Sequence, residues 1–167
     1  MVSTAIYDAG MLFYKAQAWK DAISTMEQFQ SRYPNDSRLV NFPPRLLEAK
    51  KAIGDYVGAA EQAMLIYHHH RDQAKAASKQ QKLSSKVESG ALPSDDDREL
   101  SRQALFAAAE LYQQASVVDK AAVNRAIVAY RQYAHEFTQP VAERMEAMYT
   151  LTQLYLCLLY TSDAADD

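Results

Sequence analysis

Three consecutive histidines, His68-His69-His70, are the residues of this chain best equipped for metal or proton chemistry. A helix holds zinc through histidines three or four apart, joined by further ligands. Neighbouring helical residues point about 100° apart, so three in a row do not converge on one ion. Arg71 beside them adds a repelling charge. The run reads as polar surface whose charge responds to pH near neutrality. His135 is followed by Glu136, but no serine or cysteine stands at a spacing that builds a nucleophilic triad. Asp95-Asp96-Asp97 lacks the alternating oxygens, glycine and closing glutamate of a calcium loop. It suits the positive end of a following helix, with Ser94 as the cap. Glu143 and Glu146 sit one helical turn apart and read as solvent-exposed. Four isolated glycines cannot make a phosphate-binding loop. These residues predict no catalytic group, no cofactor and no metal. An enzyme would need its catalytic residues in sequence outside this chain.

A row of cations is the remaining chemical feature. Arg71, Lys75, Lys79 and Lys82 follow helical spacing, and Lys86 lies beyond them. The row either contacts an acidic partner or nucleic acid, or is an ordinary solvated helix face with Asp72 and Glu88 nearby. The solvated face is the preferred reading, because charge runs are usually solvated. No aromatic interleaves with the lysines, which argues against single-stranded nucleic acid.

The elements that carry these residues follow from repetition. Ala5-Ile6-Tyr7-x-Ala9-Gly10-x-Leu12-Phe13 recurs as Ala104-Leu105-Phe106-x-Ala108-Ala109-x-Leu111-Tyr112, and again as Ala147-Met148-Tyr149-x-Leu151-Thr152-x-Leu154-Tyr155. A second pattern follows the first two copies. It runs Ala22-Ile23-x-x-Met26-x-x-Phe29-x-x-x-Tyr33, then Ala126-Ile127-x-x-Tyr130-x-x-Tyr133-x-x-x-Phe137. Apolar residues three and four apart share one face of an α-helix. Two such patterns in fixed order predict an all-α repeat array. Gly10, Ala109 and Thr152 share one position, and Ala22 and Ala126 another. Small side chains there let neighbouring helices approach and interlock.

Breakers divide the chain. Ser3 is a candidate N-cap. The bend falls at Ala18-Trp19, and Tyr33-Pro34-Asn35-Asp36 ends the pair. Pro43-Pro44 opens a second pair, bent at Gly54-Asp55, in which Ala59, Ala63 and Ile66 carry the second pattern loosely. The expected units are a pair over 1–35, a degenerate pair with an extended second helix over 43–86, a linker over 87–97, a pair over 98–140, and a lone first helix of a truncated repeat over 141–156. The first pattern recurs after 99 residues (Tyr7 to Phe106) and the second after 104 (Ala22 to Ala126), so the third unit carries about five extra residues in its bend.

Residues Ile6 to Pro34 resemble a tetratricopeptide repeat. Gly10, Trp19, Ala22, Phe29 and Pro34 occupy the family's small, aromatic, alanine, aromatic and proline places. The family's early tryptophan is absent. The Tyr33-Pro34 ending is similar to repeats of bacterial envelope scaffolds, including assembly lipoproteins of the outer membrane. That resemblance implies a short α-solenoid that binds another protein or a peptide, in a periplasmic or outer-membrane-associated setting. It equally allows a non-catalytic segment of a larger transport machine or enzyme. It also implies that first helices line the binding groove. Tyr7, Met11, Tyr14 and Lys15 would then face it in the first unit, Phe106, Glu110 and Gln113 in the third, and Tyr149 and Gln153 in the last. Tyr7, Phe106 and Tyr149 form an aromatic ladder that either anchors a partner or packs against the next unit.

Residues 157–167, from Cys157 to Asp167, resemble translated adapter DNA from sequencing-library preparation, a non-native tail to be set aside. Without it the only cysteine is gone, and 18 acidic residues balance 18 basic ones. The chain is then expected to be a piece of a longer array, whose last helix frays from about Val141 and associates. Composition agrees with helix throughout: 4 Gly and 5 Pro in 167 residues. Tyrosine is frequent, 11 against 5 Phe and 1 Trp, and any buried hydroxyl needs a partner. No run of about 18 apolar residues is present to span a membrane, and no cleavable signal is visible.

Overall fold

Helix breakers and small residues fix both the ends and the contacts of the elements. The computed structural model describes residues 2–83 and 93–163. Among them are seven helices: α1 (Val2–Lys15), α2 (Trp19–Arg32), α3 (Phe42–Ala52), α4 (Tyr56–Leu83), α5 (Pro93–Ala115), α6 (Lys120–Glu136) and α7 (Val141–Asp163). A 3-10 turn, Ser37–Asn41, links α2 to α3. No strand occurs among the described residues, so the described chain is all-α. None of the described helices is long and apolar enough to cross a membrane.

Pro43 and Pro44 lie in the first turn of α3, where a missing N–H costs nothing. Tyr33 closes α2, its N–H donating to the Phe29 carbonyl. Two ends differ from the sequence reading. Ser3 lies inside α1, which already runs from Val2. Pro93 is the first residue of α5, so the final five residues of the expected linker are helical and Ser94 is past the cap position. Proline at the first helical position is favourable for the same reason as in α3. The rest of that linker, with Glu88, lies outside the described residues, as do residues 84–86 before it, Lys86 among them.

The first two helix pairs are closed by one turn used twice. Gln17 N–H donates to Tyr14 O and Ala18 N–H to Phe13 O, at 3.0 and 2.9 Å. Gly54 N–H donates to Lys51 O and Asp55 N–H to Lys50 O, at 3.0 and 2.9 Å. This is the Schellman arrangement, which needs a left-handed residue after the helix. Gly54 takes φ 79° and Gln17 takes φ 57°. A side chain is strained there and glycine is not. Gly54→Ala should therefore lose about 1 kcal/mol and Gln17→Gly gain up to about 1 kcal/mol in urea unfolding. Shifts of the same sign at both turns would contradict this.

The third pair differs. α6 starts six residues before Ala126, whereas α2 starts three before Ala22. Most of the extra length is thus an added helical turn on α6, not a longer bend. Asp119 stabilises that start by accepting the Ala121 N–H at 2.9 Å.

Each helix packs on the next along the chain, most extensively α4 on α5. The small positions make this possible. Gly10, Ala22, Ala109 and Ala126 are all buried. A Cβ on Gly10 would come within 3.2 Å of Met26 Cγ. Ala59, Ala60 and Ala63 of α4 meet Ala104, Ala108 and Ala109 of α5 in one core. Ile66 is only partly buried beside it. Thr152, third in the Gly10 set, is exposed and bonds back to Met148 O at 3.0 Å.

Side chains also tie alternate helices, in register. Tyr7 of α1 stacks on Phe42 of α3, and Tyr14 bonds Glu48 further along both. Arg125 of α6 pairs with Glu61 of α4, and Gln132 with Tyr67. Both pairs of contacts advance along the two helices in the same direction, so α1 runs parallel to α3 and α4 to α6. The cores are two. One holds Met26, Phe29, Phe42 and Leu46 of α2 and α3; the other spans α4 to α7.

Candidate functional site

Three of the tyrosines donate to carboxylates of other helices. Tyr14 donates to Glu48. Tyr67, fully buried, donates to Glu136 of α6 at 2.7 Å. Tyr133, also fully buried, donates to Glu143 of α7 at 2.6 Å. A fourth hydroxyl, on Tyr130, donates to Gln113 at 2.6 Å. Burial disfavours the phenolate, and the carboxylate acceptors add to the effect; both push Tyr67 and Tyr133 up to about 12. A raised folded pKa gives stability that is complete below the unfolded value of 10 and lost as pH rises toward about 12. We expect alkaline unfolding in that window, shifted upward in a Tyr67→Phe/Tyr133→Phe variant that is weaker at neutral pH. An unchanged alkaline midpoint would contradict the assignment.

Glu143 is not the free surface carboxylate expected from sequence. It accepts from Tyr133 and from Arg102, whose residue is only 8% exposed. Arg102 also grips Glu99, whose carboxyl is held down at about 2 by that guanidinium and by Gln103. This cluster fastens α5, α6 and α7 together.

The nine groove candidates divide into two sets. Tyr7, Met11, Tyr14, Phe106 and Gln113 are half-buried, and their contacts lie within the fold. Tyr7 is ringed by Phe29 at 5.7 Å, Phe42 at 5.4 Å and the Arg38 guanidinium at 4.9 Å. Phe106 meets Tyr133 at 5.0 Å. Two rungs of the aromatic ladder therefore pack between helices. The third rung does not: Tyr149 is 66% exposed. Lys15, Glu110 and Gln153 are exposed as well. The Glu110 carboxyl is raised by partial loss of hydration and by Glu146 beside it, against Lys51. Tyr149 belongs to a longer exposed stripe on α7 with Met145, Met148, Tyr155 and Leu156. Its spacing of three and four keeps it on one side of the helix.

The histidine run is split. His68 and His69 are exposed, while His70 Nδ1 lies 2.7 Å from Asp97 of α5. Asp97 thus serves a specific partner as well as the helix end. Among the described residues no three His, Cys, Asp or Glu side chains are grouped to hold a metal ion.

The cation row does more than face solvent. Arg71, Lys75 and Lys79 form one wall of a cleft of about 670 Å³. Arg98 and Ser101 of α5 and His135, Glu136 and Phe137 at the end of α6 complete it. The Lys82 side chain lies outside the described residues. Nothing in the row itself announces Arg98 or His135, which are brought in from other helices.

No protein-family model, curated protein or solved structure matches this chain.

Proposed function

We propose that the chain is a tetratricopeptide-like helical array that holds a peptide or a face of another protein. The observation that carries this reading is the tie between Tyr14 and Glu48, which joins two successive first helices across 34 residues. That separation equals the length of about 34 residues for one such repeat. The shared Schellman turn, the parallel run of α1 with α3 and of α4 with α6, and the buried small positions support it. A stack built this way leaves one row of helices as a continuous surface.

The surface for capture is then the exposed set of Lys15, Glu110, Tyr149 and Gln153, extended by the α7 stripe. Aromatic and methionine side chains are common anchors in protein interfaces. Tyr7 and Tyr14 serve instead as pegs between repeats. Selection from a displayed random-peptide library tests the proposal. Peptides should be recovered whose binding falls about tenfold in a Tyr149→Ala/Gln153→Ala chain. Recovery of none above background would contradict it.

A further inference from the structure

The cleft beside the distal half of α4 carries unspent charge. Arg71 directs its guanidinium to Asp72 at 3.1 Å and lies over the Tyr67 ring. Glu136, the one carboxylate in the lining, is engaged by Tyr67 and Gln132. Lys75, Lys79 and Arg98 have no ion pair among the described residues, although they stand on two different helices of the same cleft. Three uncompensated cations around a concave site favour an anionic ligand. Ala74, on the α4 wall, adds a small apolar surface.

Spacing narrows the ligand. Lys75 and Lys79 are four residues apart, a rise of about 6 Å along the helix. In an extended peptide, side chains on one face recur every ~6.6 Å. Carboxylates at alternate positions of such a peptide match the lysine row, and the intervening residues turn away. Nucleic acid fits less well. Of the two aromatic rings in the lining, Phe137 is 6% exposed and offers no open platform for a base, which leaves only the single imidazole of His135 and no stacking series. The chain as a whole also carries no basic excess, with formal charge −3.

We propose that this cleft takes an extended acidic segment of a partner protein, with carboxylates two residues apart on Lys75 and Lys79 and a further one on Arg98. The proposal rests on the scaffold reading and gives it a second contact surface, away from Tyr149 and Gln153. The probe is a short labelled peptide alternating glutamate and valine, titrated against the full chain by fluorescence anisotropy at low salt. Binding should weaken about tenfold or more when glutamine replaces its glutamates, and likewise in a Lys75→Glu/Lys79→Glu chain. Both lysines are exposed, so that chain should keep its helical signal. Lys20→Glu/Lys120→Glu, which makes the same charge change at two exposed positions outside both surfaces, should leave binding intact. An equal loss in that control, tighter binding of oligothymidylate of the same length, or no binding of the glutamate peptide would each overturn the proposal. Library peptides that still bind and respond to Tyr149→Ala would then show that only the acidic site has failed.

Discussion

Phe29→Ala should unfold the first three helices while leaving the later ones folded. Phe29 is fully buried, and its ring centroid lies 5.7 Å from Tyr7, 5.5 Å from Phe42 and 5.1 Å from Tyr33. Removing a ring from such a site costs about 3–5 kcal/mol, through lost burial and the cavity left behind. The core that it serves is small, with Met26, Phe42 and Leu46 as its other buried members. Little else there can absorb the loss. The core of α4 to α7 does not include Phe29, and stacked helices transmit stability only through neighbours. Amide exchange should therefore quicken in α1 to α3 and stay slow around Tyr130 and Tyr133. Uniform acceleration would mean one cooperative unit. By the same geometry Tyr7→Ala is a destabilising change, not a clean test of partner binding.

Arg102→Leu should cost about 2–3 kcal/mol, at or below the low end for breaking a buried ion pair. The guanidinium side chain is 10% exposed, whereas Glu99 and Glu143 keep 50% and 34%. Those carboxylates recover water once the arginine is gone, which limits the penalty. Tyr133 retains Glu143 as acceptor but loses the cation that balanced it. The loss has a pH signature. Glu99 is held at about 2 in the fold against an ordinary 4.5. A depressed carboxyl stabilises above its unfolded pKa, and that contribution fades as pH falls from 4.5 toward about 2. The difference in stability between wild type and variant should shrink across that window. A constant difference from neutral pH down to acid would contradict the role given to Arg102.

What could be read in the sequence was mostly local. Pro34, Pro43 and Gly54 each act on the backbone where they stand, so helix ends near them were legible. Gly10 and Ala22 were legible because a missing side chain has one packing consequence whatever lies opposite. Ser94 misled, since Pro93 before it is itself a good first helical residue. The added turn on α6 was read as a longer bend because pattern spacing counts residues without saying which are helical, although Asp119 is an N-cap signal and Lys120 to Val123 carries no breaker. Glu143 looked like a surface residue because its partners, Tyr133 and Arg102, lie 10 and 41 residues away. One signal was there: Arg102 falls one turn before Leu105 and Phe106, on the apolar side of α5, where a charge needs a partner. The cleft had no comparable signal. The α4 row gives one wall, and Arg98, His135 and Phe137 arrive only through the packing of α5 and α6.

The array reading and the surface assigned to it meet in one measurement, amide shift mapping of the labelled full chain on adding a library-selected peptide. The account predicts that perturbed amides cluster at Lys15, Glu110, Tyr149 and Gln153 and along α7, with the tied interior at Tyr67 and Tyr133 unmoved. Shifts confined to the opposite row, on α2 and α6, would contradict it, and so would shifts spread evenly through both cores.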